Sequence, residues 1–246
     1  MSVQFGEEIS SGAALNRAGS MVLDALNIGV TECARSPKSA HMTKITTVVF
    51  DVGKVLFEWD LRYLFAKLID DEAELDWFLA NVVTPKWHFQ HDAGRPLADM
   101  VAELAALHPA YAPHIEAYRT RFNETIPGPV AGSLEIVSEL AERGVPLFAI
   151  TNFGAEFWDI FRPTQPIFDN FGDIIVSGVE KMVKPDPAIY ALALERFDLE
   201  PGEAIFVDDN IDNVISARAN GFVAHHFTGA PALRAELAKF GLVNPQ

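Results

Sequence analysis

Short apolar runs, separated by segments with helical spacing of apolar residues, organise the chain from about residue 45 onwards. Runs of this length bounded by polar residues are typical of buried strands. They predict strands at about 46–50, 145–150, 173–176, 204–207 and 222–227. Helical patterns lie between the later runs, and alternation of strands and helices favours a parallel sheet with right-handed connections. The predicted fold class is α/β, a doubly wound parallel sheet with helices on both faces.

The stretch from about residue 59 to 125 departs from this alternation. Its apolar residues recur at helical spacing in four segments, at 61–68, 75–79, 97–107 and 114–123. No strand-like run interrupts them, so the pattern predicts an all-helical insert directly behind the first strand. The expected organisation is an α/β core formed by residues 42–58 and 127–246, a helical cap at 59–126, and an extension at 1–41 outside the core.

Several predicted strands end in polar residues. These are Asp51 after the first strand, Thr151 and Asn152 after the second, and Asp208 and Asp209 after the fourth. Because parallel strands bring their carboxyl ends to one edge of the sheet, we expect these side chains to converge. Three neighbouring carboxylates repel one another unless a cation lies between them. Mg²⁺ prefers oxygen ligands and keeps waters that a phosphate can displace.

The motifs around these residues resemble those of the haloacid dehalogenase superfamily across about residues 45–228. Val-Val-Phe-Asp51 is similar to its nucleophile motif and Ile-Thr151-Asn152 to its hydroxyl motif. Lys184-Pro185 is similar to its lysine motif, and Phe-Val-Asp208-Asp209-Asn210 to its acidic metal motif. The helical insert resembles the small α-helical cap of that superfamily. Its position and the Asp-x-Gly sequence look most like the glucose-1-phosphate phosphatase-like subgroup.

The resemblance implies a role for each motif residue. Asp51 would attack phosphorus and become an aspartyl phosphate, and Lys184 would neutralise phosphoryl charge. Thr151 would donate a hydrogen bond to a phosphoryl oxygen, with Asn152 beside it. Magnesium would be held by Asp51, the carbonyl of Gly53, and Asp208 or Asp209. Simpler interpretations stay open residue by residue: Thr151 or Asp209 caps a helix, and Lys184 is a surface lysine.

Gly53 departs from the superfamily pattern, in which a second aspartate protonates the leaving oxygen. Three hypotheses follow. The first is a phosphatase whose leaving group needs little protonation, as in sugar 1-phosphates, or whose cap supplies the acid. The second is a 2-haloacid dehalogenase, and the third is a phosphometabolite-binding protein with weakened catalysis. The aspartate pair at 208–209 favours the phosphatase, since halide displacement needs no metal.

Residues 85–95 of the insert are rich in aromatic, imidazole and guanidinium groups. They suggest a substrate-facing cluster of Trp87, His88, His91 and Arg95. These groups would pair an apolar wall with binding sites for anions and hydroxyls. The structural alternative is a buried tryptophan next to two solvated histidines.

Charge and cysteine content narrow the range of partners. The formal net charge of −15 argues against non-specific binding to nucleic acid or to anionic membranes. The single cysteine, Cys33, cannot form an internal disulfide, which favours a cytoplasmic setting. No basic start precedes a long apolar run, so no signal peptide is expected. The predicted partner is a small phosphate ester, bound by a monomer or a homodimer.

Overall fold

A computed structural model describes residues 44–245 of the chain. It contains a five-stranded sheet, and its strands are β1 Thr47–Phe50, β2 Leu147–Thr151, β3 Asp173–Val176, β4 Ala204–Asp208 and β5 Val223–His226. The strands are parallel and lie in the order β3-β2-β1-β4-β5. The five predicted strands are confirmed to within two residues at each end. The extension predicted at 1–41 lies outside the described residues.

The strand order creates a switch point between β1 and β4. From β1 the chain moves outward through β2 and β3, then returns to the opposite side of β1 with β4. In sheets of this kind, ligands bind where the direction of winding reverses, at the carboxyl ends of the strands. Asp51 directly follows β1 and Asp208 ends β4, so both carboxylates stand at this point.

Helices cover both faces of the sheet, which confirms the doubly wound fold. The helices outside the insert are α6 Ser133–Glu142, α7 Ala155–Phe161, α8 Ser177–Glu180, α9 Pro187–Arg196, α10 Ile211–Ala219 and α11 Ala230–Lys239. Alternate residues of β1 belong to different cores: Val48 and Phe50 pack with α6 and α11, and Val49 packs with α9 and α10. The sequence did not predict α11, whose apolar face is short. Within the described range, no helix is both long and apolar enough to cross a bilayer.

Residues 59–126 are helical, as predicted. Their α-helices are α1 Arg62–Phe65, α2 Glu72–Asn81, α3 Pro85–Asp92, α4 Leu97–Leu107 and α5 Ala112–Thr120. The sequence did not predict a helix at 85–95, because the polar residues of this segment show no helical spacing of apolar positions. The structure has α3 there. Its start is fixed by the Thr84 side chain, which accepts a hydrogen bond from the Trp87 N–H, and by Pro85 at the first helical position.

The carboxyl-terminal end of α3 is fastened to the core. Ser177 Oγ donates to the carbonyl of Asp92 at 2.6 Å and accepts from the Phe153 N–H at 3.0 Å. The His91 ring packs edge-on against Phe157, with ring centroids 4.7 Å apart, and lies directly over Gly154. These contacts join the insert to the loop that follows β2, and they set the position of α3 above the edge of the sheet.

Gly154 provides a test of this attachment. A Cβ at this position would lie 2.0 Å from Cδ2 of His91, so Gly154→Ala must displace the ring. We expect the variant to lose about 1–3 kcal/mol of unfolding free energy, the usual cost of overpacking. Urea denaturation measures this loss. Gly128→Ala is the control, because a Cβ at Gly128 meets no atom within 4 Å. Equal stability of the two variants would mean that His91 does not hold α3 in place.

Candidate active site

Lys184 lies between two carboxylates at the switch point of the sheet. Its Nζ is 2.8 Å from Oδ1 of Asp51 and 2.7 Å from Oδ2 of Asp208. The lysine side chain is only 1% exposed, and Asp208 is fully buried. Asp208 also accepts hydrogen bonds from the Asn213 side chain, at 3.0 and 3.1 Å. Buried charges need such partners, so the arrangement fixes the ammonium group beside Asp51.

The Asn152 side chain forms hydrogen bonds with both backbone polar groups of this lysine. Its Oδ1 accepts from the Lys184 N–H at 2.8 Å, and its Nδ2 donates to the Lys184 carbonyl at 3.0 Å. The following peptide bond, Lys184–Pro185, is cis. The sequence located Asn152 at the end of β2 without giving it a separate task. The geometry makes it the residue that links β2 to the loop carrying Lys184.

Crowding of charge alters the ionisation of both central groups. Burial raises the pKa of Asp51 to about 7; the attraction of Lys184 opposes this rise, and repulsion from Asp208 adds to it. Burial alone would lower the pKa of Lys184, but Asp208 and Asp51 together raise it above its ordinary value. Lys184 therefore carries a positive charge, while Asp51 sits where a further cation would favour its ionised form.

The donor atoms fit a hard divalent cation. One carboxylate oxygen from each of Asp51, Asp208 and Asp209 can be chosen so that all three lie within 4.8 Å of one another. Burial and repulsion from Asp208 raise the pKa of Asp209, which is the electrostatic strain that a cation would relieve. Oxygen-only donors are those that Mg²⁺ prefers. The site therefore has the cluster of carboxylate oxygens that the sequence predicted as metal ligands.

A cavity of about 330 Å³ opens beside these groups. The polar part of its lining includes Asp51, Gly53, Asn152, Lys184 and Asp209. Much of the remaining wall is apolar and comes from both the insert and the core, through Val52, Phe57, Trp59, Phe89, Phe122, Ile126, Phe153 and Phe161. Thr151 and Asp208 are buried at the ends of β2 and β4 and are not among its lining residues. The cavity thus joins one charged region to a largely aromatic one.

The four predicted cap residues do not form one surface on this cavity. His88 lines it, whereas Trp87, His91 and Arg95 do not. Trp87 packs against Tyr118, with ring centroids 4.9 Å apart, and Arg95 pairs with Glu103 and the Gln90 side chain. The two histidines are buried, so they are not the solvated pair of the structural alternative. Helical geometry separates these residues. Trp87 and His91 lie on one side of α3, and His88 lies with Asp92 on the adjacent side.

Sequence reasoning missed several cavity residues. Asp92 lies four residues after His88, and this spacing alone would have predicted a common face had α3 been recognised as a helix. Lys54, three residues after Asp51, holds its ammonium 5.6 Å from the centre of the Trp59 ring. Its positive φ of 59° turns the chain immediately after Gly53.

A parallel α/β sheet that brings together a carboxylate, a buried lysine and an aspartate pair beside a cavity has the groups that a hydrolytic enzyme needs. Comparison with known proteins shows the family to which the chain belongs. A family model described as haloacid dehalogenase-like hydrolase matches residues 45–221. The chain belongs to this family, and it is therefore a hydrolase. The family part of the sequence resemblance is confirmed, whereas the resemblance to the glucose-1-phosphate phosphatase-like subgroup stays a prediction.

Individual relatives agree with this assignment. The chain is 30% identical over 198 residues to sesquiterpene phosphatase astK of Aspergillus oryzae, covering 79% of this chain and 96% of that protein. A HAD family enzyme of Bacteroides thetaiotaomicron in complex with magnesium is similar in structure, with a TM-score of 0.59 at 17% identity over 75% of this chain and 94% of its own. The L-2-haloacid dehalogenase of Xanthobacter autotrophicus with covalently bound chloropropionic acid gives 0.54 at 20% identity, over 82% and 85%. Both structures share the fold with this chain, and the curated relative supports phosphatase activity.

Proposed function

We propose that this chain is a Mg²⁺-dependent phosphatase that hydrolyses small phosphate monoesters through an aspartyl phosphate on Asp51. The observation that carries the proposal is the fixed contact of Lys184 with Asp51 inside a cavity that also contains Asp209. A carboxylate alone would repel a phosphate dianion. The lysine offsets that repulsion at the oxygen next to the attacking one, and Asn152 fixes its position.

The reaction would proceed in two displacements. An Asp51 oxygen attacks phosphorus, the ester bond breaks, and the phosphoryl group is transferred to the carboxylate. Water then attacks the same phosphorus and releases Asp51. Lys184 would stabilise the charge on the phosphoryl oxygens in both steps. Thr151 is buried and does not line the cavity, so no contact with these oxygens is assigned to it.

The proposed metal ligands are Asp51, the carbonyl of Gly53 and Asp209. Asp209 is preferred to Asp208 because it lines the cavity, whereas Asp208 is fully buried and already bonded to Lys184 and Asn213. Bound magnesium would neutralise charge on the transferring group. Asp208 would then act through Lys184, by keeping the ammonium group charged and in place.

The cavity wall favours a substrate with an apolar alcohol part. Aromatic and aliphatic side chains from both the insert and the core surround the space beyond the charged groups. Similarity to a protein named sesquiterpene phosphatase supports the same class of substrate. Sugar 1-phosphates are the second candidate, favoured by Gly53. Their anomeric oxygen leaves more readily than an ordinary alkoxide, so they depend less on a protonating aspartate.

A series of linear alkyl monophosphates tests this function and its substrate class together. Phosphate release by the full chain should vanish in EDTA and return with Mg²⁺. Each added methylene should raise kcat/KM roughly fourfold until the cavity is filled, since burial contributes about 0.8 kcal/mol per CH₂. Glucose 1-phosphate and glucose 6-phosphate are the polar comparators. A flat alkyl series with glucose 1-phosphate preferred would establish the second candidate.

The dehalogenase hypothesis is tested in the same experiment. Release of chloride from 2-chloropropionate that does not respond to EDTA would identify a dehalogenase and reject the phosphatase. Structural similarity to a dehalogenase does not favour that reaction, because it extends to the fold alone. The aspartate pair and the cation-compatible donor set support phosphate chemistry instead.

A further inference from the structure

The proposed reaction lacks a proton donor next to the nucleophile, where Gly53 stands. Other titratable groups line the same cavity: Lys54, Glu58, His88 and Asp92. Lys54 lies over the Trp59 ring, and Glu58 is exposed to solvent. His88 and Asp92 differ from both, being 7% and 5% exposed and in contact with each other. They are a buried acid–base pair on the insert, facing the cavity that contains Asp51.

Three side chains are linked in series, by a hydrogen bond between Tyr118 and His88 and by an ion-pair contact between His88 and Asp92. The Tyr118 hydroxyl oxygen is 2.6 Å from Nδ1 of His88, and Nε2 of His88 is 3.3 Å from Oδ2 of Asp92. The imidazole is stacked between two rings, Trp59 at 4.8 Å and Phe122 at 5.9 Å between centroids. These contacts prevent the ring from rotating, so its two nitrogens keep their separate partners.

The tautomer of the His88 ring follows from its hydrogen bond with Tyr118. Burial, together with the negative charges of Asp92 and Glu156, raises the pKa of Tyr118 well above its ordinary value. The phenol therefore keeps its proton, and Nδ1 of His88 is its hydrogen-bond partner among the described residues, so we take the hydroxyl as the donor. Nδ1 is then the acceptor nitrogen, and Nε2 carries the hydrogen that points to Asp92 Oδ2.

One oxygen of this network is left open. Asp92 Oδ1 is buried and has no hydrogen-bond partner within residues 44–245. Buried polar atoms without partners are uncommon, and they mark positions that a ligand, a water or a proton completes. Asp92 is also one of the residues that line the cavity. The series Tyr118–His88–Asp92 thus ends in a carboxyl group that lines the cavity and has one oxygen without a hydrogen-bond partner in the described residues.

We propose that Asp92, positioned by His88 and Tyr118, is the general acid and base that replaces the aspartate missing at position 53. The proposal rests on the phosphatase function above. In the first step the ester P–O bond breaks, its electron pair passes to the alcohol oxygen, and that oxygen takes the proton from the carboxyl group of Asp92. In the second step the attacking water gives one proton back to Asp92 and becomes part of the phosphate. The carboxyl group is restored, and atoms and charge balance.

Leaving-group dependence separates this role from a structural one. Asp92→Asn keeps the size of the side chain and an acceptor for Nε2–H, but it cannot transfer a proton. For an alkyl monophosphate we expect kcat/KM to fall by about 10²–10⁴, the usual contribution of a general acid. p-Nitrophenyl phosphate needs no protonation and should change by only a few-fold. Asp99→Asn, an exposed position on α4, is the matched control and should change neither substrate.

Restoring the missing aspartate gives a second and independent measurement. A Cβ at Gly53 meets no atom within 4 Å, so Gly53→Asp can be accommodated. In the Asp92→Asn background it should recover most of the lost alkyl phosphatase activity. In the natural chain it should change the alkyl-to-aryl ratio only a few-fold, because an acid is already present.

Three outcomes would overturn the role of Asp92. Equal loss for both substrates in Asp92→Asn would make it structural, and no loss for either would assign the proton to another group. A large gain in the alkyl-to-aryl ratio from Gly53→Asp in the natural chain would mean that it lacks an acid; this measurement remains even if Asp92→Asn does not fold. Each of these outcomes is a ratio of kcat/KM for alkyl and aryl phosphates, which requires that the enzyme be active. If the natural chain released no phosphate from any ester, the proposed function would fail instead.

Discussion

Asp51→Asn should lower kcat for phosphate esters by about 10⁴-fold or more, the scale on which removal of a catalytic nucleophile acts. The amide keeps the size of the side chain and its hydrogen bond to the Val52 N–H, which lies 2.7 Å from Asp51 Oδ1. It cannot attack phosphorus. Acid quenching during turnover should capture a phosphorylated protein from the natural chain and none from the variant. Captured phosphoprotein in the variant would mean that another residue is the nucleophile.

The stability of the same variant is the control for its loss of activity. Burial raises the pKa of Asp51 in the folded protein to about 7, above its value of 3.8 when unperturbed. A carboxyl group shifted in this direction stabilises the fold below its ordinary pKa and loses that contribution as pH rises towards 7. Asparagine has no such loss. In EDTA at pH 7 we therefore expect Asp51→Asn to unfold at the same temperature as the natural chain, or at a higher one.

Lys184→Met should damage both stability and catalysis. The substitution leaves Asp51 and Asp208 buried without the ammonium group that contacts both. Breaking a buried ion pair on one side costs about 3–5 kcal/mol. Loss of one stabilising charge in the site should also lower kcat by about 10²–10³-fold. Thermal unfolding and steady-state kinetics measure the two effects.

The effect of Mg²⁺ on the melting temperature of Lys184→Met provides a further test. Because a divalent cation would take over part of the lost neutralisation, added Mg²⁺ should raise the melting temperature of Lys184→Met by more than that of the natural chain. Lys86→Met, on the exposed side of α3, controls for the removal of one positive charge and should behave like the natural chain. If Lys184→Met proved as stable as Lys86→Met, the buried ion pairs would not be holding the site together.

The strands and the residues at their ends were predictable because a parallel sheet imposes a simple rule on the sequence. Buried strands are apolar throughout, and whatever follows them shares one edge. Asp51 and Asp208 therefore came together as expected, and so did Lys184, which was taken from the family resemblance. The helical nature of the insert was also predictable from the spacing of its apolar residues, though not the extent of each helix.

The insert's contribution to the site was not predictable in the same way. Which side of α3 faces the cavity depends on how the helix is rotated, and the contacts that set this rotation involve Gly154 and Ser177, far away in sequence. His91 was predicted to bind substrate; in the structure it packs against Phe157 and does not line the cavity. Tyr118 meets His88 across 30 positions of sequence, a contact that no local pattern encodes.

The attachment of α3 also limits how this enzyme can be recombined with its relatives. His91 and the carbonyl of Asp92 grip the core, while the side chains of His88 and Asp92 face the cavity one helical side away. This eight-residue helix thus both attaches the insert to the core and lines the cavity. Exchange of residues 59–126 as a cassette would not transfer substrate preference by itself. The recipient core must also carry a glycine and a serine matching Gly154 and Ser177. Substrate specificity therefore depends on residues of both the insert and the core.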